Sequence, residues 1–511
     1  MESVQEEKML SLDFYDRCIR KLSSILAGAA VCSVSLFMSF EAHAVPNPTI
    51  TGPIPATAPL GDPSHNYPFF ATTWIPPSSG YVEEEFFMEG TASRFTTPSL
   101  ATGSIIDSGH PYKVRMIVRR PSSAAKFSGK VVVEWLNVTN NFELDVQWNR
   151  AHDYFIRQGW AYVGVGVQRA GIVTAGTALR AWNPSRYGTI DVTQGGTLND
   201  DSLKYDIFSQ AGQAVLHPVG VDPLGGLPAR QLLIATGDSQ STSNLGTYLN
   251  SVHPLDPIYQ GFELGGVLTV RVRDDIPQKV FKVISEYDAN SGEVRIRRPD
   301  TDHYVAWEIA GSSHTDYHNF LINGPIRLRD EGVTGTTPDT QNCIDPARSR
   351  VNLFLVHQAA YDWISRWILT GQQPPSMPQP LTVLNFNTTP VTFARDSHGL
   401  ALGGIQLADT AVPTALNNGW NAGGKPPTSN GSCQQAGTHV PFDQATVTAL
   451  YPTLSGYMYQ VLVTAKKNAI AGYILPDDFL TLVHNVAAEV LGEPQSEQIE
   501  AQQLGHPPFQ F

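Results

Sequence analysis

A serine, an acidic pair and a histidine follow one another in an order that acyl-transfer chemistry can use. Ser239 lies in LLIATGDSQSTS, where an apolar run reaches Gly237 and the serine comes two positions later. SEYD supplies Glu286 and Asp288, and AGSSH supplies His314. A serine hydroxyl is a weak nucleophile until a base accepts its proton. Ser239 is therefore predicted to attack an acyl carbon, with His314 as general base and then general acid.

Either acidic side chain could be the partner of His314. Glu286 and Asp288 both come directly after a predicted strand over residues 280–284. A carboxylate at this place orients the imidazole and stabilises its protonated form. Asp288 is favoured because it lies further into the loop, where this carboxylate normally sits. Glu286 stays open as the alternative.

Negative charge builds on the substrate oxygen in the transition state, and hydrogen-bond donors must meet it. The backbone N–H of Gln240, directly after the nucleophile, is one predicted donor. The second is predicted in the loop NVTNN, which follows the apolar run KVVVEWL, at the backbone of Val138 and Thr139. These donors would form an oxyanion hole.

Apolar runs alternate with segments of helical spacing along most of the chain. Strands are predicted over residues 112–118, 130–136, 161–167, 231–236, 280–284 and 304–309, and helices over 146–158, 205–216, 351–370, 454–471 and 476–491. This alternation predicts an alpha/beta-hydrolase fold with a mostly parallel central sheet and helices on both faces. Functional groups collect at the carboxyl ends of such strands, which is where the serine, acids and histidine fall.

The chain divides into four predicted segments. Residues 1–44 are a signal peptide, 45–81 an extended N-terminal arm rich in Pro, Ser, Thr and Gly, 82–373 the hydrolase core, and 374–511 a C-terminal extension packed on that core. Either of two stretches within the core, 169–230 and 316–349, could form a lid over the site.

The first segment predicts export. Two basic residues precede the apolar stretch LSSILAGAAVCSVSLFMSF, and small residues at Ala42 and Ala44 predict cleavage after Ala44. A lipid anchor at Cys32 and an uncleaved membrane anchor are the alternatives. After cleavage no stable membrane insertion is expected, and the protein would be secreted or periplasmic. In that setting Cys343 and Cys433 are predicted to form a disulfide, with two free thiols as the alternative.

Asparagine sequons add one possible modification to an exported chain. They begin at Asn137, Asn387 and Asn430. Asn137 is predicted to be too enclosed by the oxyanion loop to carry a glycan, and Asn430 is the better candidate.

The net charge and the available ligand residues argue against two other classes, nucleic-acid-binding proteins and metalloenzymes. The formal net charge of −13 and the lack of basic runs argue against nucleic-acid binding. His314, Asp316 and His318 of the stretch HTDYH are spaced as metal ligands could be, but Asp316 is interpreted as fixing the loop. No third ligand of a hydrolytic site is then evident, so neither metal nor cofactor is expected. His152 and His303 are interpreted as ordinary helix and loop residues.

The chain resembles a group of exported or intracellular serine hydrolases known as alpha/beta hydrolase domain proteins. The stretches that carry the resemblance are VVVEWLNVT, YVGVGVQ, RYG, YDIFSQAGQAV, GDSQS, RRPDTDHYVAWEIAGSSH, GGIQLADTAVP and LYPTLSGY. The resemblance implies carboxylic-ester hydrolysis, with Ser239 as nucleophile and His314 as base. The family usually has a glycine in the loop after NV, where this chain has NVTNNF.

Three functional hypotheses follow. The first is a secreted serine esterase acting on a small-molecule or polymeric ester; the second is an acyltransferase or amidase with the same three residues; the third is a binding protein whose site is silent. Trp182, Tyr187 and Trp307 could line a bulky acyl pocket or simply pack in the core. The oligomeric state does not follow from the sequence.

Overall fold

The computed structural model describes residues 45–267, 270–332, 342–426 and 430–505. The predicted signal peptide, with Cys32 and the cleavage site at Ala44, lies outside the described residues. A ten-stranded sheet forms the centre of the fold, in the spatial order β10-β9-β8-β7-β4-β5-β3-β2-β1-β6. Its strands are β1 (Thr49–Thr51), β2 (Tyr81–Phe95), β3 (Ile105–Pro121), β4 (Lys130–Trp135), β5 (Ala161–Val165), β6 (Val219–Gly220), β7 (Leu232–Asp238), β8 (Gly261–Gly265), β9 (Lys279–Ser285) and β10 (Tyr304–Ile309).

Six neighbouring strands of this sheet, from β10 across to β5, run parallel. The sheet continues through the antiparallel strands β3 and β2. Parallel strands are joined by crossovers, so helices cover both faces. The α-helices are α1 (Val146–Arg157), α2 (Arg169–Val173), α3 (Leu179–Trp182), α4 (Pro184–Tyr187), α5 (Lys204–Leu216), α6 (Gln240–Ser251), α7 (Glu286–Ser291), α8 (Tyr317–Glu331), α9 (Leu353–Thr370), α10 (Ala408–Ala411), α11 (Asn430–Ala436), α12 (Gln444–Leu450), α13 (Leu454–Ala471), α14 (Phe479–Leu491) and α15 (Ser496–Gln503).

Short elements complete the architecture. Two-stranded antiparallel sheets pair β11 (Val383–Asn385) with β12 (Thr392–Phe393) and β13 (Ala415–Asn418) with β14 (Thr438–Pro441). Single 3-10 turns occupy Pro77–Ser79, His253–Leu255, Glu293–Ile296 and Pro476–Asp478. The last of these occupies the start of the helix predicted over 476–491, so that α14 begins at Phe479.

The valine run of β4 shows why the sheet is covered on both sides. Val131 and Val133 pack into one hydrophobic cluster, whereas Val132 packs into a second cluster on the opposite face. Successive side chains of a strand point to opposite faces, so a continuous apolar run marks a strand buried on both. The second cluster also contains C-terminal side chains, among them Ile405 and Val461. Residues beyond 374 therefore pack on the sheet, while the four segment boundaries remain predictions.

The fold prediction is confirmed, but four strands of the central sheet were not predicted: the short strands β1 and β6, and β2 and β8. The long strand β2 contains three consecutive glutamates at 83–85, which oppose strand propensity. Each of them pairs with an arginine on β3, in the pairs Glu83–Arg119, Glu84–Arg120 and Glu85–Arg115. The five-residue strand β8 has glycine at both ends, a composition that weakens a strand prediction.

Two further features concern the predicted disulfide and the predicted lack of membrane insertion. Cys343 and Cys433 form a disulfide, with their Cα atoms 5.5 Å apart. Within the described part of the chain, no helix combines the length and apolarity needed to cross a membrane.

Candidate active site

Ser239 occupies the sharp turn between β7 and α6. Its backbone has φ 57° and ψ −119°, in the left-handed half of conformational space that a residue with a Cβ rarely adopts. Holding a non-glycine residue there costs on the order of 1–3 kcal/mol, and such strain is typical of functional sites. The turn places the serine at the carboxyl end of a central parallel strand, the position of a nucleophile elbow.

Small residues allow β7 and α6 to approach closely beside this turn. A Cβ on Gly237 would lie 3.0 Å from the hydroxyl oxygen of Ser241. That hydroxyl donates to the Asp238 carbonyl over 2.8 Å and accepts from the Asp238 N–H over 2.9 Å. Ser241 therefore fits where a second glycine is usual and also fixes the residue that precedes the nucleophile.

His314 lies on the loop after β10 and contacts Asp288. Its Nδ1 is 2.8 Å from Asp288 Oδ1, and both side chains are buried. Ser285 fixes the carboxylate from the other side, since its hydroxyl donates to Asp288 Oδ2 over 2.6 Å. Asp288 is at the third position of α7, where it forms a capping box with Ser285. The cap thus holds the carboxylate in the orientation that meets the imidazole.

The pKa values of this pair move in the directions that favour an ion pair. Burial alone would lower the pKa of His314, but the charge of Asp288 and the hydrogen bond to it outweigh burial, and the pKa is raised. Burial would likewise raise the pKa of Asp288, but the His314 charge and the hydrogen bonds from His314 and Ser285 leave it lowered. Asp288 is therefore ionised at neutral pH and stabilises a proton on the ring.

Glu286 does not meet His314 in the structure. Its Oε2 accepts from the backbone N–H of Gly311 over 2.6 Å, and its Oε1 lies 2.8 Å from Arg395. The side chain is fully buried in these contacts. Of the two acids predicted, the structure brings Asp288 to the imidazole, whereas Glu286 braces the loop that leads to His314.

Ser239 and His314 lie in the wall of one cavity of about 360 Å³. Gly266, with φ 78°, sits between them: a Cβ there would be 3.3 Å from both His314 Cε1 and the Ser239 nitrogen. The imidazole of His314 and the backbone of Ser239 therefore both border the space beside Gly266. Among the described residues the Ser239 hydroxyl makes no hydrogen bond to the ring, a contact that often forms only when substrate is bound.

One of the three predicted oxyanion-hole donors, the backbone N–H of Thr139, already has another acceptor in the structure. Gln240 is the first residue of α6, so its N–H has no acceptor within the helix and lies at the positive end of the helix dipole. The N–H of Thr139, in contrast, donates to the Asn137 side-chain oxygen over 2.8 Å. Sequence analysis could not foresee that this donor is occupied. Val138 and Gln240 remain as the predicted donors.

Arg150 on α1 connects the loops of the site, and sequence analysis missed it. Its guanidinium donates to the His314 carbonyl oxygen over 3.0 Å and lies 3.4 Å from Asp238 Oδ2 and 3.3 Å from Asp316 Oδ2. One buried cation therefore holds the residue before Ser239 and the backbone of His314. A charged residue among the apolar positions of a helix was the signal that could have identified it.

The residues considered as metal ligands have other partners. Asp316 pairs with Arg150 and caps α8 through the N–H of Asn319, and His318 lies 2.8 Å from Glu497. In the part of the chain that the structure describes, no group of three or more His, Cys, Asp or Glu side chains could hold a metal. His152 is buried on α1 and lies 3.6 Å from Glu500, away from the cavity wall.

The stretch 316–349 supplies much of the cavity wall, as far as its residues are described. The members from this stretch are Asn319, Phe320, Asn323, Arg327 and Arg348. The other predicted lid, 169–230, contributes no residue to the described wall. Trp182, Tyr187 and Trp307 are buried in the core instead, the alternative given for them above. Asn137 is 4% exposed, which leaves no room for a glycan, whereas Asn387 is exposed.

A second cavity, of about 400 Å³, lies beside β9 and β10. Four of its charged side chains form two ion pairs, Lys282 with Glu293 and Arg297 with Glu308. Burial lowers the pKa of Lys282 to about 7. The wall contains neither Ser239 nor His314, so the first cavity is the one suited to acyl chemistry.

The parallel sheet and the strained serine turn define the alpha/beta-hydrolase class. The family model described as Alpha/beta hydrolase domain matches residues 50–484, and the chain belongs to this family. Comparison with curated proteins gives no significant match.

Solved structures of hydrolases are similar to parts of the chain. Esterase Est22 is 13% identical over 41% of this chain and 65% of its own, with a TM-score of 0.24. A serine hydrolase without a lid from Xanthomonas campestris is 13% identical over 48% of this chain and 97% of its own, with a TM-score of 0.26. Oligopeptidase B from Trypanosoma brucei is 11% identical over 51% of this chain and 39% of its own, with a TM-score of 0.27. At these scores the likenesses carry no argument about substrate.

Proposed function

We propose that the protein is a serine hydrolase that cleaves a carboxylic ester through an acyl-enzyme on Ser239. The observation that carries the proposal is the 2.8 Å contact between Asp288 Oδ1 and His314 Nδ1, made in the cavity wall that also holds a serine at a strained turn. Because a fold hosts many chemistries, this geometry supports the reaction more strongly than family membership does.

In the acylation half, His314 Nε2 takes the proton of the Ser239 hydroxyl while Oγ attacks the acyl carbon. The carbonyl oxygen becomes an oxyanion, which accepts hydrogen bonds from the backbone of Gln240 and Val138. When the intermediate collapses, the bond to the leaving alcohol breaks and His314 gives its proton to that alcohol. Asp288 stays ionised throughout and stabilises the protonated ring.

Deacylation repeats these steps with water. His314 takes a proton from a water molecule, whose oxygen attacks the acyl-enzyme carbonyl. Collapse of the second intermediate releases the carboxylic acid, and the proton returns to Ser239 Oγ. Each half needs the imidazole neutral at its start, so turnover depends on the pKa of His314.

The substrate is proposed to be a small-molecule or polymeric ester, and the chain is proposed to act outside the cytoplasm. The Cys343–Cys433 disulfide supports an oxidising compartment. The predicted signal peptide agrees with export.

Covalent labelling tests the nucleophile directly. The mature protein should react with a fluorophosphonate, and peptide mass spectrometry should place the adduct on Ser239. Ser239→Ala should lose both the adduct and hydrolysis of 4-nitrophenyl acetate. Ser243→Ala is the matched control, because Ser243 lies one turn further along α6, outside the cavity wall, and its hydroxyl donates to Val267 O. Full esterase activity in Ser239→Ala would overturn the proposal.

Product analysis separates hydrolysis from acyl transfer or amide cleavage. An esterase should release free acid even when a primary alcohol or amine is added in excess over the substrate. A product dominated by the new ester or amide would instead establish a transferase. Labelling of Ser239 with no turnover of any ester or amide would favour a silent binding protein.

A further inference from the structure

A buried row of polar side chains leads from the residue before Ser239 to helix α9. Asp238 is the last residue of β7, and its Oδ2 accepts a hydrogen bond from Nε2 of Gln147 on α1 over 3.2 Å. Gln147 is fully buried and is not among the described residues of the cavity wall. Its contact with Asp238 therefore supports the serine turn from the protein interior.

The other end of the Gln147 side chain is held by a tyrosine. Tyr361 on α9 is buried, and its hydroxyl donates to Gln147 Oε1 over 3.0 Å. An amide oxygen accepts hydrogen bonds and an amide nitrogen donates them, so this arrangement presents the nitrogen to the Asp238 carboxylate. The Tyr361 hydroxyl thus orients the amide that meets Asp238.

Further polar side chains surround the Tyr361 hydroxyl. It lies 2.8 Å from Thr236 Oγ1 and 3.1 Å from Glu263 Oε2. Glu263 also accepts from the Thr236 hydroxyl over 2.7 Å, and its Oε1 lies 3.0 Å from His357 Nδ1. Thr236 belongs to β7 and Glu263 to the neighbouring strand β8. The Tyr361 hydroxyl is therefore enclosed by polar groups of two central strands, which restricts its movement.

A glycine at the end of β8 leaves room for the contact between Gln147 and Asp238. A Cβ on Gly265 would overlap both Gln147 Nε2 and Asp238 Oδ2. The carbonyl oxygen of Gly265 accepts the Ser239 N–H over 3.0 Å. The end of β8 therefore holds the backbone of the nucleophile and makes space for the side chains that hold the residue before it.

The serine turn needs such support, because a strained backbone persists only where the surrounding contacts over-determine it. Ser239 has φ 57° and ψ −119°. We infer that Gln147 and Tyr361 are positioning residues for the nucleophile. Tyr361 orients the Gln147 amide, and Gln147 fixes Asp238 and with it the direction of the Ser239 hydroxyl. This inference rests on the proposed ester hydrolysis and concerns the same site.

Two single variants and their combination test the inference. Tyr361→Phe removes one oxygen and keeps the ring, and Gln147→Leu removes the amide. Each should lower kcat for 4-nitrophenyl acetate by about tenfold or more and change KM by less than about twofold, since neither side chain binds the ester. Because both act on Asp238 by one route, the double variant should lose no more kcat than the slower single variant.

Tyr154→Phe is the matched control. Tyr154 is also buried, and its hydroxyl on α1 donates to Asp362 on α9 over 3.2 Å. The control therefore removes a hydroxyl between the same two helices without touching Asp238. It should keep the kcat of the wild type while its unfolding midpoint falls, as in Tyr361→Phe. The second-order rate of Ser239 labelling by a fluorophosphonate should fall in Tyr361→Phe and stay unchanged in Tyr154→Phe.

Thermal unfolding of each variant shows which of them can be used. Because Gln147 is fully buried and its leucine variant could misfold, Tyr361→Phe decides the test where unfolding shows damage. Its labelling rate and its kcat are then compared with those of Tyr154→Phe alone.

Three results would overturn the inference while leaving the proposed function intact. One is a wild-type kcat and labelling rate in folded Tyr361→Phe. Another is an equal loss of kcat in Tyr154→Phe, which would mean that any weakening between α1 and α9 affects the site. The third is a double variant whose loss of kcat is the product of the two single losses. If the wild type hydrolyses no ester and Ser239 takes no fluorophosphonate, the proposed function fails, and the inference fails with it.

Discussion

The side-chain amide of Asn137 donates to the backbone carbonyl oxygen of Asp238 over 2.9 Å. This bond ties the loop of the proposed oxyanion hole to the residue directly before Ser239. The oxygen of the same side chain accepts from the Thr139 N–H. One buried asparagine therefore sets the distance between the two halves of the proposed oxyanion hole, and its place in a glycosylation sequon is incidental.

Asn137→Ala should lower kcat for 4-nitrophenyl acetate by about 100-fold, since a displacement of about 1 Å at a reacting centre costs that much. KM should change little, because the side chain positions the loop and is not expected to bind the ester. Steady-state kinetics on the purified variant measure both constants. Asn387→Ala, an exposed sequon asparagine far along the chain, is the control. Unchanged kcat in Asn137→Ala would contradict this role.

That the candidate residues Ser239, Asp288 and His314 lie near one another could be predicted from a simple rule of the fold. Ser239, Asp288 and His314 each follow an apolar run, and the carboxyl ends of parallel strands meet at one sheet edge. The rule locates the residues without any knowledge of the strand order. The unrecognised strand β8, which lies between β7 and β9, therefore did not disturb the prediction.

Contacts between distant side chains could not be predicted in the same way. The apolar positions around Arg150 can indicate a buried charge, but they do not identify its partners Asp238 and Asp316, because those contacts depend on how α1 packs against both loops. The occupied N–H of Thr139 is a similar case: residue type and spacing identify a backbone donor, whereas its hydrogen-bond partner depends on the conformation of the loop.

Arg150→Met tests whether Arg150 acts on catalysis through His314 or only stabilises the fold. We expect kcat to fall by about 100-fold, since the backbone of His314 loses a donor and Asp238 loses its cation. Breaking a buried ion pair should also cost about 3–5 kcal/mol of stability. Because the Arg150 charge lowers the pKa of His314, its loss should shift the acidic limb of the kcat/KM profile to higher pH. A purely structural role would leave that limb in place.

Arg157→Met provides the comparison on the same helix. Arg157 lies near the end of α1 and pairs with Asp478, away from the cavity wall. Its variant should lose some stability and keep the pH profile of the wild type. A shift of the acidic limb in both variants would show that the effect is not specific to the charge of Arg150 beside His314.

The pH dependence of the wild type follows from the raised pKa of His314. General-base catalysis needs the neutral ring, so kcat/KM should rise with pH through a midpoint above the ordinary histidine value of about 6.5. The sign is fixed, since a raised pKa keeps the ring protonated to higher pH and moves the limb upward. A non-ionising ester and constant ionic strength are used for the titration. A midpoint below 6.5 would mean that burial outweighs Asp288 in solution.

The two acids should behave differently when their charge is removed. Asp288→Asn should lower kcat by about 10⁴-fold, since the amide favours the wrong tautomer of the ring. Glu286→Gln should change kcat far less, because Glu286 binds Arg395 and the Gly311 N–H, but it should lower the unfolding midpoint. Both variants conserve shape, so they form a matched pair. An equal loss of kcat in both would show that Asp288 is not the specific partner of His314.

Reduction of the disulfide should affect the site as well as stability. Cys433 lies in α11, whose residues Ser432 and Gln435 line the cavity, and the Gln435 carbonyl accepts from the Thr315 N–H beside His314 over 3.0 Å. The bond closes a loop of 90 residues, and loss of such a constraint costs about 2–5 kcal/mol. Cys343→Ser with Cys433→Ser should therefore lower the unfolding midpoint and raise KM for the ester. The variant has no disulfide, so a reductant should not change its unfolding midpoint or its KM further. The same reductant should bring the unfolding midpoint and KM of the wild type to those of the variant. A variant that keeps the wild-type KM while losing stability would show that the bridge supports the fold alone.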